Sequence, residues 1–184
     1  MSSKVRYLTL TALMLALCVV FQFIRVLIPA LNALSIFGPF TVSSLIIGSL
    51  VNLTLIIAAW RVGFWSGITI ALLSTVIAFF QGHLPLVHMM PVVAVGNAVI
   101  VTVVWLLRKA NPLLTVFFGA VLKFLALWSM VMWIVVPILT PVEGMGPKIN
   151  AISVMFAWPQ LVTGLVGGAL ACLLWPRLKK AARG

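Results

Sequence analysis

Four polar side chains interrupt long apolar stretches of the sequence and are the groups best suited to bind a ligand: Arg25, Asn97, Lys123 and Gln160. A polar side chain at membrane depth costs free energy unless it finds a partner, so such positions are candidates for function. Lys123 lies about ten residues into its apolar run, roughly 15 Å along a helix and near the middle of a bilayer. Asn97 and Gln160 occupy similar depths in the runs on either side of it along the chain. Together these residues predict a shared polar pocket.

Each of these side chains also has a purely structural interpretation. Lys123 can extend its long stem toward the cytoplasmic surface, and Arg25, four residues before Pro29, can do the same at the membrane interface. The two amides can bridge helices instead of holding a ligand. Gly119 and Ala120 lie one turn before Lys123 on the same helix face, which favours contact of that face with another helix.

Three tryptophans in the last two apolar runs offer aromatic surface near the same depth: Trp128, Trp133 and Trp158. Their rings can stack on a flat heterocycle or simply pack against neighbouring helices. Of the three, Trp128, in the outward half of the fifth predicted helix, is the best candidate for a ligand contact.

Acidic residues are almost absent, since Glu143 is the only Asp or Glu against twelve Lys and Arg. A single carboxylate excludes a carboxylate pair, a Ser-His-Asp triad, an acidic metal cage and an acidic proton relay. His83 and His88, with no Cys or Asp nearby, make a poor metal site. We therefore expect no catalytic residue, no metal site and no cofactor, and no enzyme activity.

The elements that carry these residues are long apolar helices. Hydrophobic residues make up 64% of the 184 positions and charged residues 7%, with a mean hydropathy of +1.30. A soluble domain carries roughly a quarter charged residues, so the composition predicts a lipid-embedded chain. We predict an all-α, polytopic membrane protein that forms one domain over residues 1–184, with a loop at 30–39. The six predicted transmembrane helices span 8–29, 40–60, 63–80, 88–107, 113–137 and 151–175, with a kink at Pro159.

Basic residues predict the orientation of these helices. With the N-terminus inside, nine lie in cytoplasmic segments: Lys4, Arg6, Arg61, Arg108, Lys109, Arg177, Lys179, Lys180 and Arg183. Only Lys148 lies in an outer loop. By the positive-inside rule, both termini are cytoplasmic. The basic excess thus reflects topology, and we expect no nucleic-acid partner because no soluble basic face is available.

Small residues at four-residue spacing indicate helix faces that make close contacts. The first helix carries Ala12 and Ala16, and the last carries Gly164 and Gly168. The second helix carries a more polar series, in which Asn52 lies eight residues after Ser44. Packing within the chain and docking of a partner are both open interpretations of these patterns.

Taken together, the size, six helices, cytoplasmic termini and Ala-x-x-x-Ala motif resemble a substrate-binding S component of an energy-coupling factor (ECF) transporter. The resemblance covers essentially the whole chain, including the opening segment RYLTLTALMLAL at 6–17. It implies a bacterial plasma-membrane subunit that captures a vitamin or related micronutrient in an outward pocket formed mainly by the later helices. It also implies docking, through Ala12 and Ala16, on a transmembrane coupling subunit that carries two cytoplasmic ATPases. The sequence has no phosphate-binding loop of its own, so ATP would be bound by those partners.

The substrate and two rival functions stay open at this point. A permanently cationic ligand would find no carboxylate partner in any helix, so a neutral or anionic ligand is favoured. Segments 47–52 (IGSLVN) and 78–82 (AFFQG) are similar to S components assigned to cobalamin-precursor salvage, with benzimidazole or its riboside as substrate. Folate, pantothenate, niacin and queuosine precursors are further options. The rival functions are a stand-alone channel or secondary transporter, and an assembly subunit that binds no ligand.

Overall fold

The computed structural model describes residues 2–181 and is about 80% helical. Five of its helices or helix series are long and apolar enough to cross a membrane. A sixth apolar helix, Phe64–Phe80, is slightly shorter. In chain order the elements are α1 (Ser3–Gln22), α2 (Ile24–Leu27), α3 (Ala30–Ala33), β1 (Ser35–Phe37), β2 (Phe40–Thr41), α4 (Val42–Arg61), α5 (Phe64–Phe80), α6 (Met89–Leu106), α7 (Pro112–Met130), a π-helical turn (Val131–Val135), α8 (Val136–Leu139), α9 (Gly146–Met155) and α10 (Trp158–Ala181). These elements place the chain among all-α membrane proteins.

The helix boundaries follow local sequence signals. The side chain of Thr41 caps α4 by accepting a hydrogen bond from the backbone N–H of Ser44, at 3.3 Å. Asn111 caps α7 in the same way, and Pro112 occupies its first position, where no N–H is needed. Gly63, with a φ of 135°, allows the tight turn between α4 and α5. The α4, α5 and α6 helices lie within two residues of their predicted spans.

Segment 30–39, predicted as a loop, instead contains α3 and β1, and β1 forms an antiparallel hairpin with β2 at the start of the predicted span 40–60. The prediction was wrong here because the segment lacks an extended alternating pattern and its two strands are very short. Gly38 supplies the left-handed turn with a φ of 52°, and Ser35 Oγ donates a hydrogen bond to its carbonyl oxygen. Phe37 and Phe40 pack edge-on against Trp158, which fixes the hairpin on the start of α10.

The last predicted span, 151–175, is two helices rather than one kinked helix. The break lies at residues 156–157, just before α10 begins, so that Pro159 occupies its first turn and needs no backbone partner for its nitrogen. At the other end, α10 continues through Pro176, beyond the predicted end at Trp175.

The α4 helix forms the centre of the bundle and contacts α1, α5, α6 and α10. The α10 helix packs against α4 and α7, while α6 packs against α5 and α7. Gly167 of α10 lies so close to α4 that an added Cβ would be 2.3 Å from the carbonyl oxygen of Ser49. The α4 helix is the most buried of the membrane-length helices and α1 the least. One broad face of α1 is therefore left without a partner inside the chain.

The two ends of the bundle differ in charge. Arg6 and Arg61 line one shallow depression at the end where α1 begins and α4 ends, and Trp60 contacts Trp175 of α10 there, at 5.1 Å between ring centroids. We call this the basic end. Of the nine basic residues predicted to be cytoplasmic, Arg183 lies outside the described residues. The hairpin and the loop between α5 and α6 are at the opposite end, which we call the loop end.

Candidate functional site

A cavity of about 150 Å³ opens at the loop end of the bundle. Its walls come from α1, α2, α4, α5, α6, α7, α9 and α10 and from the loop between α5 and α6. The lining residues are Gln22, Arg25, Ser43, Ser44, Ile47, Gly48, Val51, Asn52, Thr75, Ala78, His83, Leu84, Val93, Asn97, Lys123, Met155, Phe156 and Gln160. More than half of them are polar or charged, which is unusual for the interior of so apolar a chain.

Lys123 is the centre of a hydrogen-bond network in the wall of this cavity. Its ammonium donates to Asn52 Oδ1 at 2.6 Å and to Asn97 Oδ1 at 2.8 Å. The Asn52 amide nitrogen in turn donates to Thr163 Oγ1 at 3.5 Å, and the Asn97 amide nitrogen donates to Thr75 Oγ1 at 3.3 Å. The chain of contacts thus links α10, α4, α7, α6 and α5. Because an ammonium can only donate, both asparagines must present their oxygens to it.

Small residues let these side chains meet. Gly96 precedes Asn97, and a Cβ at Gly96 would be 2.5 Å from the side chain of Leu127 on α7. This close approach of α6 to α7 brings Asn97 within reach of Lys123. One turn before Lys123, Gly119 faces Ile100 of α6 and Ala120 faces Gly164 of α10. The expected helix contact at that face is therefore present.

Gln22, Arg25 and His83 form the rim of the cavity at the loop end. His83 Nε2 donates to the backbone carbonyl oxygen of Gln22 at 3.0 Å. Burial, together with the nearby Arg25 guanidinium, lowers the pKa of His83 below its usual value, against the smaller opposing effect of the Gln22 hydrogen bond. Gln22 donates from its amide to the carbonyl oxygen of Ser74, while its own Oε1 is buried without a donor among the described residues. That oxygen is a ready acceptor for a ligand N–H or O–H.

The cavity is electropositive. Lys123 and Arg25 both line it, and Lys123 is only 3% exposed. Glu143, the only Asp or Glu of the chain, is exposed in the turn between α8 and α9 and does not line it. Within residues 2–181, no group of three His, Cys, Asp or Glu side chains is arranged to hold a metal ion. The chemistry that the site offers is hydrogen bonding and charge recognition.

Four of the five predicted binding residues, Arg25, Asn97, Lys123 and Gln160, line this one cavity. The ammonium of Lys123 is held inside the bundle and does not extend to a membrane surface. Trp128 is not a lining residue, and it is 40% exposed on the outside of α7. The helical spacing explains this, because Trp128 lies five residues after Lys123 and therefore faces away from it.

Several lining residues were not identified from the sequence. Asn52 is the most important, since it accepts the shorter of the two hydrogen bonds from Lys123. A signal for it exists in the polar series on α4, where Ser44, Gly48 and Asn52 share one face and all line the cavity. Gln22 and Thr75 carry no comparable signal, because neither belongs to a series of polar residues at four-residue spacing on its helix.

Ala12 and Ala16, the predicted docking residues, precede Gln22 on α1 by ten and six residues and do not line the cavity. Both are exposed on the unpartnered face of α1. Gly164 and Gly168, by contrast, pack inside the chain, against Ala120 and Val116 of α7. The Gly164 and Gly168 motif therefore serves packing within the chain, whereas the Ala12 and Ala16 motif is exposed and free to contact another protein.

A family model for the substrate-specific component of ECF transporters matches residues 6–178. The chain belongs to this family. Neither a curated protein nor a solved structure matches it. S components are multi-pass membrane subunits that bind small substrates and work with ECF coupling and ATPase modules; they are transporter subunits rather than enzymes.

Proposed function

We propose that this S component captures a vitamin or related micronutrient in the cavity around Lys123 and delivers it inward after docking on the coupling subunit. The bound molecule contacts Lys123, Asn97, Gln160 and Arg25, with Asn52 added from the geometry. The observation that carries the proposal is the buried polar network of five helices in the wall of a cavity that opens at one end of the bundle. Buried polar groups in lipid-embedded helices are costly, and ligand binding is a reason to keep them.

In the orientation that we propose, six helices cross the bacterial plasma membrane and both termini are cytoplasmic. The basic end then faces the cytoplasm, as the positive-inside rule requires, and the cavity opens outward. An outward cavity suits capture, while the cytoplasmic ATPases lie on the opposite side. Family membership favours this arrangement over a stand-alone channel or secondary transporter.

Benzimidazole and its riboside, as cobalamin precursors, are the first compounds to test as substrates. The two segments that resemble S components of cobalamin-precursor salvage, 47–52 and 78–82, both contribute to the cavity, through residues such as Asn52 and Ala78. The lining is well supplied with donors and acceptors for ring nitrogens and ribose hydroxyls. Among the described residues, only Phe156 and His83 contribute aromatic rings to the lining, so hydrogen bonding rather than extensive stacking would give the selectivity.

Native mass spectrometry of the purified full-length protein tests the ligand-binding role. We expect a small molecule to co-purify and to be released on unfolding, and we expect the Lys123→Met variant to carry much less of it. Loss of one hydrogen bond to a charged group weakens binding by about 1.5–3 kcal/mol, or roughly ten- to hundredfold. A folded protein that carries no small molecule, and binds none of the compounds named above, would favour the assembly-subunit alternative.

Docking through Ala12 and Ala16 is the second part of the proposal. A partner helix can approach closely only where side chains are small, and both alanines lie on the exposed face of α1. Replacing both with Leu should leave the bundle intact, since Leu suits both a helix and lipid. Neither alanine lines the cavity, so ligand affinity should hardly change.

The docking test is co-expression of the double variant with the coupling module, followed by pull-down and ligand binding on the same preparation. Complex formation and ATP-dependent uptake should be lost while binding is retained. Ala169→Leu is the matched control, because Ala169 is also an exposed alanine but lies on α10. Normal assembly of the double variant would refute the docking role, and equal loss in the control would show that any added bulk is harmful.

A further inference from the structure

The ammonium of Lys123 has an unused donor in the wall of the cavity. An ammonium carries three N–H groups, and two of them are taken by Asn52 Oδ1 and Asn97 Oδ1. Within residues 2–181, no side-chain or backbone oxygen accepts a hydrogen bond from the third N–H group. Both asparagines are neutral, so the network satisfies two hydrogen bonds of Lys123 without balancing its charge.

We propose that the substrate is a small carboxylic acid whose carboxylate pairs with Lys123. This inference rests on the proposed function, because it specifies the chemistry of the ligand that the cavity captures, and it favours an acid over the uncharged benzimidazole and its riboside. One carboxylate oxygen accepts the third N–H of Lys123, and its negative charge balances the ammonium in a region shielded from water. Charge-assisted hydrogen bonds of this kind are shorter and stronger than neutral ones.

A single negative charge fits this position better than two. Lys123 contributes one positive charge, and it is buried, whereas Arg25 is half-buried at the rim. A phosphate monoester carries about −1.5 to −2 at neutral pH and would leave excess negative charge beside the amide oxygens of Asn52 and Asn97. A neutral ligand would leave the ammonium uncompensated. The carboxylate is the group that brings the inner part of the site closest to neutrality.

The cavity also limits the size of the enclosed part of the ligand. An engineered apolar cavity of about 150 Å³ holds one benzene molecule, so a volume near 150 Å³ encloses approximately one ring with a small substituent. Any larger portion must extend past Arg25 and His83 at the rim. At the rim, Gln22 Oε1 is available to accept a hydrogen bond from a hydroxyl or amino group. A monocyclic acid therefore fits the enclosed volume.

Matched pairs of acid and neutral compounds test this charge preference on the unmodified protein. The full chain, purified and stripped of bound ligand, is titrated calorimetrically with benzoate and benzamide, nicotinate and nicotinamide, and benzimidazole-5-carboxylate and benzimidazole. In parallel, the molecule that co-purifies with the protein is released and identified by mass spectrometry. We expect a released carboxylic acid, and at least one pair whose acid binds ten- to a hundredfold more tightly than its neutral partner.

Other results separate this inference from the proposed function. Release of a neutral compound or a phosphate ester would overturn the proposal of a carboxylate ligand and leave the capture role intact. The same holds if the neutral compound of each pair binds as tightly as the acid. If no molecule is released and no probe binds, both proposals fail.

Two lysine variants test whether Lys123 is responsible for the preference for acids over neutral compounds. Lys123→Met removes the charge in the cavity wall, and Lys148→Met makes the same change on the exposed surface of α9. We expect the acid-to-neutral affinity ratio to fall to about one in Lys123→Met and to stay unchanged in Lys148→Met. Arg25→Met should reduce the ratio only slightly. A ratio that survives in Lys123→Met, or that is lost only in Arg25→Met, would overturn the assignment, and if Lys123→Met does not fold the titrations of the unmodified protein decide.

Discussion

The contact between Lys123 and Asn52 joins two helices far apart in sequence and should be measurable as a coupling free energy in the absence of ligand. Asn52→Leu keeps the side chain branched and nearly the same size, but it removes the oxygen that lies 2.6 Å from the Lys123 ammonium. Within residues 2–181, the buried ammonium then has Asn97 as its only protein acceptor. We expect this single change to destabilise the protein by about 1.5–3 kcal/mol, the usual worth of a hydrogen bond to a charged group.

Asn52→Leu should hardly change the free energy of unfolding when Lys123 is already Met. In that background Asn52 Oδ1 has no donor, so replacing Asn52 with Leu removes an unpaired buried oxygen. Removing both partners of a buried hydrogen bond is often nearly neutral. The only other bond lost is the 3.5 Å contact with Thr163, which is too long to contribute much. The expected coupling between the two substitutions is therefore about 1.5–3 kcal/mol.

A double-mutant cycle measures this coupling. The free energy of unfolding is obtained for the original protein, both single variants and the double variant by SDS titration in mixed micelles. Thr115→Val serves as the control partner for Asn52→Leu, because Thr115 is a buried hydroxyl near the basic end of α7 with its own local hydrogen bonds. Distant substitutions should add to within about 0.5 kcal/mol. If Asn52→Leu and Lys123→Met also add to within that margin, the contact contributes nothing to stability and the argument for a central network fails.

Three further predictions concern the topology, the packing and the rim of the cavity. In a background without Cys18 and Cys172, a membrane-impermeant thiol reagent should label Glu143→Cys in intact cells and leave Arg108→Cys unlabelled; the reverse would invert the proposed orientation. Gly167→Ala should destabilise the bundle by about 1–3 kcal/mol because its Cβ would meet the Ser49 carbonyl oxygen at 2.3 Å, whereas Gly146→Ala, with nothing within 4 Å, should not. The lowered pKa of His83 means that the unfolded chain binds its proton more readily, so stability should fall as pH drops below about 6.5, and melting curves of His83→Gln should lack that contribution.

Much of the helix layout could be predicted because hydrophobic runs of membrane length leave few alternatives. The α4, α5 and α6 helices lie within two residues of their predicted spans, whereas the kink predicted at Pro159 is a break between α9 and α10 in the structure. The hairpin at Ser35–Phe37 and Phe40–Thr41 could not be predicted. Its strands are held by a local turn at Gly38 and by packing on Trp158, a residue more than 100 positions away in the sequence.

The candidate site could be predicted in part, because polar side chains that are costly to place in membrane helices point to a functional role. Lys123 and Asn97 stand out in sequence because polar groups in lipid-embedded helices need partners, and both line the cavity. Asn52 was missed as their partner because spacing along one helix gives no information on which neighbouring helix that face meets. Trp128 was chosen on depth alone, and depth does not distinguish the inner face of a helix from its lipid-facing side.

The two hydrogen-bond partners of Lys123 are both asparagines, and this affects how the ligand is bound and released. A glutamate beside Lys123 would balance its charge permanently and leave little electrostatic gain for an incoming anion, while a lysine with apolar neighbours would bear the full cost of an unpaired buried charge. The amide oxygens of Asn52 and Asn97 lie between these extremes, since they satisfy two N–H groups and leave the net charge in place. The site can then remain folded after the ligand departs and still favour a negatively charged ligand when the cavity is next exposed. Such a balance suits a subunit that must bind and release its substrate in every cycle.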